Sequence, residues 1–221
     1  MPAESPLRDR DTSDFTLIET LRWETGTGFL RLERHLQRLA DSAAVLGFRH
    51  DSGAIHAALE SAIKGAAEPQ RVRLTLAGEG TAEASAQLFT PLPDCTVWTL
   101  RLAHIRLSSQ DMLLQHKTSR RDAYQAARAE YAATDADEVL LANERGEICE
   151  GTITNLFIDA GDDAVLQTPK FACGLLPGIL RGELLDQGRA REAVLTLDDL
   201  IAARQLYVGN SLRGLIAAKL G

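Results

Sequence analysis

Strand-type alternation recurs along most of this chain and gives way to helical periodicity at only a few places. That mixture confines the chain to an α+β fold. Phe15-Thr16-Leu17-Ile18-Glu19-Thr20-Leu21-Arg22-Trp23, Arg71-Val72-Arg73-Leu74-Thr75-Leu76 and Thr96 to Leu102 alternate as strands with one wetter face. Against them stands one clear helix. Leu32, Leu36, Leu39, Ala43 and Leu46 are spaced 4, 3, 4 and 3 apart, and Gly47 sits where a left-handed stop belongs. A second helix starts near Asp51-Ser52 with Ile55, Leu59 and Ile63 on one face. Residues 78–87 read as a turn with little core content, and 104–118 as a connector without a clean period.

Beyond the connector, Ser119 is expected to cap a helix reaching about Ala133, with Asp122 as a box-like partner. Glu138 to Leu141 reads as a strand, Asn143 to Gly146 as a hairpin turn into Glu147–Glu150, and Ile153 to Ile158 as a further strand. A turn at 161–163, a short strand Val165–Thr168 and a helix from Pro177-Gly178 to about Leu185 follow. Thr196 to Asp199 caps another short helix, and Leu206-Tyr207-Val208 is a strand running into Gly209-Asn210-Ser211. This divides the chain into an N-terminal α+β lobe over 1–105, a connector over 106–115 and a C-terminal lobe over 116–221. Residues 1–13 read as a loose leader.

Aromatic residues make up only 5%, so Leu, Val, Ile and Ala must fill the core. Lys and Arg total 24 against 31 Asp and Glu, a net charge of −7 that argues against coating nucleic acid or an anionic membrane. A local basic pocket for one small anionic molecule is compatible with it. No apolar run approaches a membrane span, and no apolar segment of signal-peptide type follows Met1. Cys95, Cys149 and Cys173 are odd in number and lack CxxC spacing, as expected of reduced thiols in a cytoplasmic protein. The five histidines show no zinc spacing with them, so no metal is expected.

Four places could carry chemistry. Lys117 follows His116 at the end of the connector, and Glu150-Gly151-Thr152 breaks two strands with a carboxylate beside glycine. Leu175-Leu176-Pro177-Gly178-Ile179 opens a helix with backbone N–H groups, and Gly209-Asn210-Ser211 ends a strand in small donors. Helix starts and small-residue turns suit anions.

The order of these places, together with Arg-His-Leu-Gln-Arg-Leu at 34–39 and Gly-Leu-Leu-Pro-Gly-Ile-Leu-Arg at 174–181, resembles the class IV aminotransferases, the fold-type IV pyridoxal-phosphate enzymes. The resemblance runs from about Phe15 to Leu220. Phe-Thr-Leu-Ile-Glu-Thr-Leu-Arg-Trp, His-Lys-Thr-Ser-Arg-Arg and Val-Gly-Asn-Ser-Leu-Arg-Gly look most like the aminodeoxychorismate lyase branch, which makes 4-aminobenzoate and pyruvate for folate synthesis. It implies a small N-terminal α/β lobe, a larger mixed-sheet C-terminal lobe, pyridoxal 5'-phosphate as cofactor and a homodimer. Lys117 matches the lysine that carries the cofactor and moves the proton. Glu150 matches the carboxylate facing the pyridine nitrogen. Arg38, the helix start at Gly178, Ile179 and Leu180, and the turn at Asn210 and Ser211 match the phosphate-holding groups.

An anionic substrate calls for cations, and Arg22, Arg106 and Arg213 are the candidates. Some related transaminases place a tyrosine five positions after the lysine; here that position is Asp122, and Tyr124 stands seven on. The family's extra strand before the equivalent of Phe15 is not seen in this sequence. The alternatives are a transaminase for branched-chain or D-amino acids and, from another class, a non-catalytic cofactor-binding or partner subunit.

Overall fold

A computed structural model describes residues 15–161 and 164–221. The leader read at 1–13 and most of the turn read at 161–163 lie outside these residues. The described chain forms two compact units, one of residues up to 90 with 116–120, the other of 91–115 with 121–221.

The first unit is a four-stranded antiparallel sheet in the order β2-β1-β3-β4, with two helices. Its strands are β1 (Leu17–Glu24), β2 (Gly28–Phe29), β3 (Gln70–Leu76) and β4 (Ala82–Leu88). Leu17, Leu21, Val72, Leu74 and Leu76 are almost wholly buried, as the alternation predicts. Helix α1 (Leu32–Leu46) turns inward through His35, Leu39, Ser42, Ala43 and Leu46. It ends at Gly47, whose φ of 78° is open to glycine at little cost. Asp51 caps α2 (Ser52–Ala62) by accepting the Ala54 N–H at 3.1 Å.

The second unit holds an eight-stranded mixed sheet in the order β10-β9-β8-β11-β12-β5-β6-β7. These are β5 (Val97–Leu107), β6 (Glu138–Asn143), β7 (Ile148–Gly151), β8 (Asn155–Asp159), β9 (Leu166–Pro169), β10 (Ala190–Ala193), β11 (Gln205–Asn210) and β12 (Gly214–Leu220). Three helices accompany the sheet: α3 (Asp122–Ala129), α4 (Ile179–Asp186) and α5 (Leu197–Ala202). Strand β6 is buried at every position, and Leu140, Leu156, Val208 and Ile216 join one apolar core.

Several sequence expectations shift. The turn read at 78–87 is confined to its start: 82–88 form β4, whose half-buried face is Ala82, Ala84 and Ala86, too small to register as a core face. Ser119 does not cap a helix. It pairs with Thr16, and α3 begins three residues later. The strand expected from Ile153 begins at Asn155, because 152–154 are drawn into a turn. The long β5 carries strand character to Leu107, with a bulge between Leu102 and Arg106 that hides its period. The expected lobe boundary at 105 differs from the passage between units near Thr90, and 116–120 return to the first unit by pairing with β1.

Candidate active site

Lys117 and Arg38 lie in the first unit. The Ile18 N–H donates to the Lys117 carbonyl at 2.8 Å, and the Ser119 N–H donates to the Thr16 carbonyl at 2.9 Å. The Thr16 N–H donates to Ser119 Oγ at 3.0 Å, and Leu17 bridges Thr118. Residues 117–119 therefore lie as a short antiparallel strand along β1, which fixes the Lys117 backbone. Of the four lysines, Lys64, Lys170 and Lys219 are exposed and Lys117 is half-buried. Among these lysines it alone is not exposed, and a nucleophilic lysine needs an amine partly withdrawn from water.

Arg38 is not a solvated helix residue. Its Nε and Nη2 donate to Glu19 at 2.9 and 2.7 Å, and His35 Nδ1 lies 2.6 Å from the same carboxylate. Glu19 and His35 are each 1% exposed. Burial alone would raise the Glu19 carboxyl, but the Arg38 charge and the hydrogen bonds from His35 and Arg38 outweigh it and hold the group at about 2. The result is an ionised carboxylate under α1 that fixes the plane of the Arg38 guanidinium.

Glu150, Gly178, Ile179, Leu180, Asn210 and Ser211 lie in the second unit, where hydrogen bonds link Glu150 and Asn210 through Leu176 and the 152–155 turn. Glu150, at the end of β7, is 4% exposed. Its Oε1 accepts from the Tyr124 hydroxyl at 2.7 Å and from the Leu176 N–H at 3.0 Å. Burial first, then the Glu150 charge, push the Tyr124 phenol well above its ordinary range, so it remains a hydrogen-bond donor. Tyr124 thus serves the carboxylate. Arg121 lies over its ring at 4.6 Å and donates to the Thr152 carbonyl.

Asn155 Nδ2 donates to the Leu176 carbonyl at 3.1 Å, tying β8 to the segment that enters α4. A Cβ on Gly178 would lie 1.8 Å from Asn155 Oδ1, so any side chain there forces Asn155 to move. As N-cap of α4, Gly178 brings no capping side chain to the first-turn N–H groups. At the end of β11, Asn210 Oδ1 accepts the Leu212 and Arg213 N–H groups at 3.1 and 3.0 Å, and its Nδ2 donates to the Ile153 carbonyl at 3.1 Å. Ser211 is buried in the same turn, and Gly209 packs too tightly against Gly214 and Leu180 for a side chain. A buried carboxylate, a helix start without a capping side chain and a glycine cradle suit a compact aromatic cation with an anionic ester.

The three expected substrate arginines have partners. Arg22 pairs with Glu24 and lies over Phe89 at 4.8 Å. Arg106 Nη1 folds back onto the carbonyls of Ala103, His104 and Ile105 at the β5 bulge. Arg213 lies 5.9 Å from the centre of the Trp98 ring. Cys149 and Cys173 are buried, and burial raises both thiols, Cys173 to about 11. Neither is therefore a nucleophile at neutral pH.

Sequence reasoning missed Glu19 and Glu138. Both are carboxylates inside strands, 1% exposed, and stand in otherwise apolar alternation. A charge written into a buried strand was the available signal.

Compared with known proteins, residues 16–220 match the profile described as amino-transferase class IV. A Mesorhizobium loti protein assigned provisionally as an amino-acid aminotransferase is 62% identical, with 94% of this chain and 100% of that chain covered and a TM-score of 0.93. A 4-amino-4-deoxychorismate lyase from Pseudomonas aeruginosa is 24% identical, covering 93% of this chain and 82% of that one at a TM-score of 0.78. A branched-chain aminotransferase from Thermoproteus uzoniensis is 21% identical, covering 93% and 78% at a TM-score of 0.80. No curated protein sequence matches.

Proposed function

Because the chain belongs to the class IV amino-transferase family, whose members depend on pyridoxal 5'-phosphate, we propose that it is a lyase converting 4-amino-4-deoxychorismate to 4-aminobenzoate and pyruvate. The observation that carries the cofactor part is the buried Glu150, anchored by Tyr124 and Leu176 beside the glycine-lined start of α4. What favours the lyase is the set of sequence blocks around Phe15–Trp23, His116–Arg121 and Val208–Gly214. When bound, the cofactor supplies an electron sink.

The chain's own residues supply the rest. Lys117 would hold the cofactor, and its amine would take the proton from the amine-bearing ring carbon of the substrate. Glu150 would set negative charge against the pyridine nitrogen and so favour a proton there. Arg38, kept in one orientation by Glu19, would pair with the phosphate, a role proposed also for the N–H groups of Ile179 and Leu180 and for the turn at Asn210-Ser211. Loss of pyruvate leaves an aromatic ring, so positioning is the larger part of the work. Arg22, Arg106 and Arg213 are assigned to the substrate carboxylates, which requires them to exchange their present partners. We place the enzyme in the cytoplasm as a homodimer.

A transaminase is the second reading, favoured by the name of the 62%-identical Mesorhizobium loti protein. It uses the same Lys117 and Glu150 but requires a keto acid to complete its cycle. The assay follows 4-aminobenzoate release from aminodeoxychorismate with no keto acid present. Steady release supports the lyase. Amine transfer that appears only with a keto acid, with no 4-aminobenzoate, replaces it with the transaminase.

A further inference from the structure

The turn between Glu150 and Asn155 is organised by a carboxylate with no assigned role. Glu138 is 1% exposed. Its Oε1 accepts the Val139 N–H at 2.9 Å, the Thr152 N–H at 3.0 Å and the Thr152 hydroxyl at 2.5 Å. Its Oε2 accepts the Ile153 N–H at 3.1 Å and the Thr154 hydroxyl at 2.8 Å. Five donors converge on one side chain, three of them backbone N–H groups, which cannot reverse their role. The carboxylate also fills the space beside Gly151, where a Cβ would lie 2.8 Å from Glu138 Cδ and 2.5 Å from Thr154 Oγ1.

The same turn touches each side of the assembly in the second unit. Glu150 precedes it, with Tyr124 and Leu176 on its carboxylate. Asn155 follows it and holds the entry to α4. The Ile153 carbonyl accepts from Asn210 Nδ2, and the Thr152 carbonyl accepts from Arg121. We propose that Glu138 is a positioning residue: by gathering the 152–154 turn onto its carboxylate, it sets the register between Glu150 and the groups at Gly178 and Asn210. A shift of this turn would move the ring-facing acid relative to the phosphate-facing donors, although Glu138 itself touches neither partner of the reaction. The inference rests on the roles proposed above for Glu150 and for the α4 entry.

Glu138→Gln is the informative change. An amide keeps the shape but sets an N–H₂ against either the Ile153 N–H or the Val139 and Thr152 N–H groups, whichever way it is turned. In the cofactor-free protein, hydrogen exchange at Thr152 and Ile153 is expected to speed up at least tenfold while amides of β8 and β11 keep their protection. The Kd for pyridoxal 5'-phosphate is expected to rise at least tenfold, and the circular dichroism of the bound cofactor to change at saturation. Thr154→Val removes one of the five donors without changing the side chain's shape and keeps the test open if Glu138→Gln does not fold. It is expected to raise the Kd about threefold. Unchanged Kd and dichroism in Glu138→Gln, or in Thr154→Val where only that variant folds, overturn the proposal. Glu150→Gln, run in parallel, separates the two readings. If Glu138→Gln weakens binding while Glu150→Gln leaves turnover intact, the role of Glu150 falls and Glu138 positions only the groups at Gly178 and Asn210. If the wild-type protein binds no cofactor, both fall.

Discussion

At the scale of single residues, buried charges decide the account. Glu19 carries His35 and Arg38 on one carboxylate, and leaving Arg38 without that partner costs about 3 kcal/mol. In a chain of this size, Glu19→Gln should lower Tm by about 6–12 °C near neutral pH. The acid side follows from its titration. Its folded value of about 2 lies below the ordinary 4.5, so its contribution is complete above 4.5 and drains away as pH falls toward 2. Thermal melts should therefore show the gap between wild type and Glu19→Gln closing over that interval; a constant gap would count against an ionised Glu19. Gly178→Ala would place a methyl 1.8 Å from Asn155 Oδ1, at a cost of about 1–3 kcal/mol, and should weaken cofactor binding more than it lowers Tm. Equilibrium titration beside a melt checks this. Glu150→Gln should retain the cofactor and slow turnover about 10²-fold or more, read from steady-state rates.

At the scale of elements, the sequence was most informative where side chains were large or the chemistry local. The capping box at α5 was legible from Thr196 and Asp199, and the Thr196 N–H does donate to Asp199 Oδ2 at 2.7 Å. Thr196→Ala should cost about 1 kcal/mol and lower Tm by roughly 2–4 °C, a change that calorimetry resolves. The α1 stripe and its stop at Gly47 were equally plain, yet the buried face passes through His35 and Ser42 because Glu19 and the Lys117 segment supply polar partners there. Strand β4 escaped notice because alternating alanines bury little area. Most telling is 117–119. Nothing in its local pattern says strand, since its pairing partner lies a hundred positions away in β1. Long-range pairing of this kind leaves no periodicity in a three-residue piece.

For the molecule as a whole, order along the chain revealed more than any one motif. Lys117, Glu150, Gly178 and Asn210 each have ordinary explanations alone, and only their succession pointed to the family whose profile spans 16–220. The mixed eight-stranded sheet, with three parallel and four antiparallel pairings, was less legible because β10 and β12 carry weak alternation of their own. The charge of −7 sharpens accordingly: a net-acidic chain is expected to confine its anion binding to Arg38, backbone N–H groups and a few arginines. Covalent trapping shows whether Lys117 carries the cofactor. Purified protein loaded with pyridoxal 5'-phosphate is reduced with borohydride, digested and mapped by mass across the peptides that hold Lys64, Lys117, Lys170 and Lys219. The reduced adduct is expected on the Lys117 peptide and should be lost, with the visible absorbance, in Lys117→Ala. An adduct on another lysine, or none on Lys117 in a protein that has taken up the cofactor, would contradict that role.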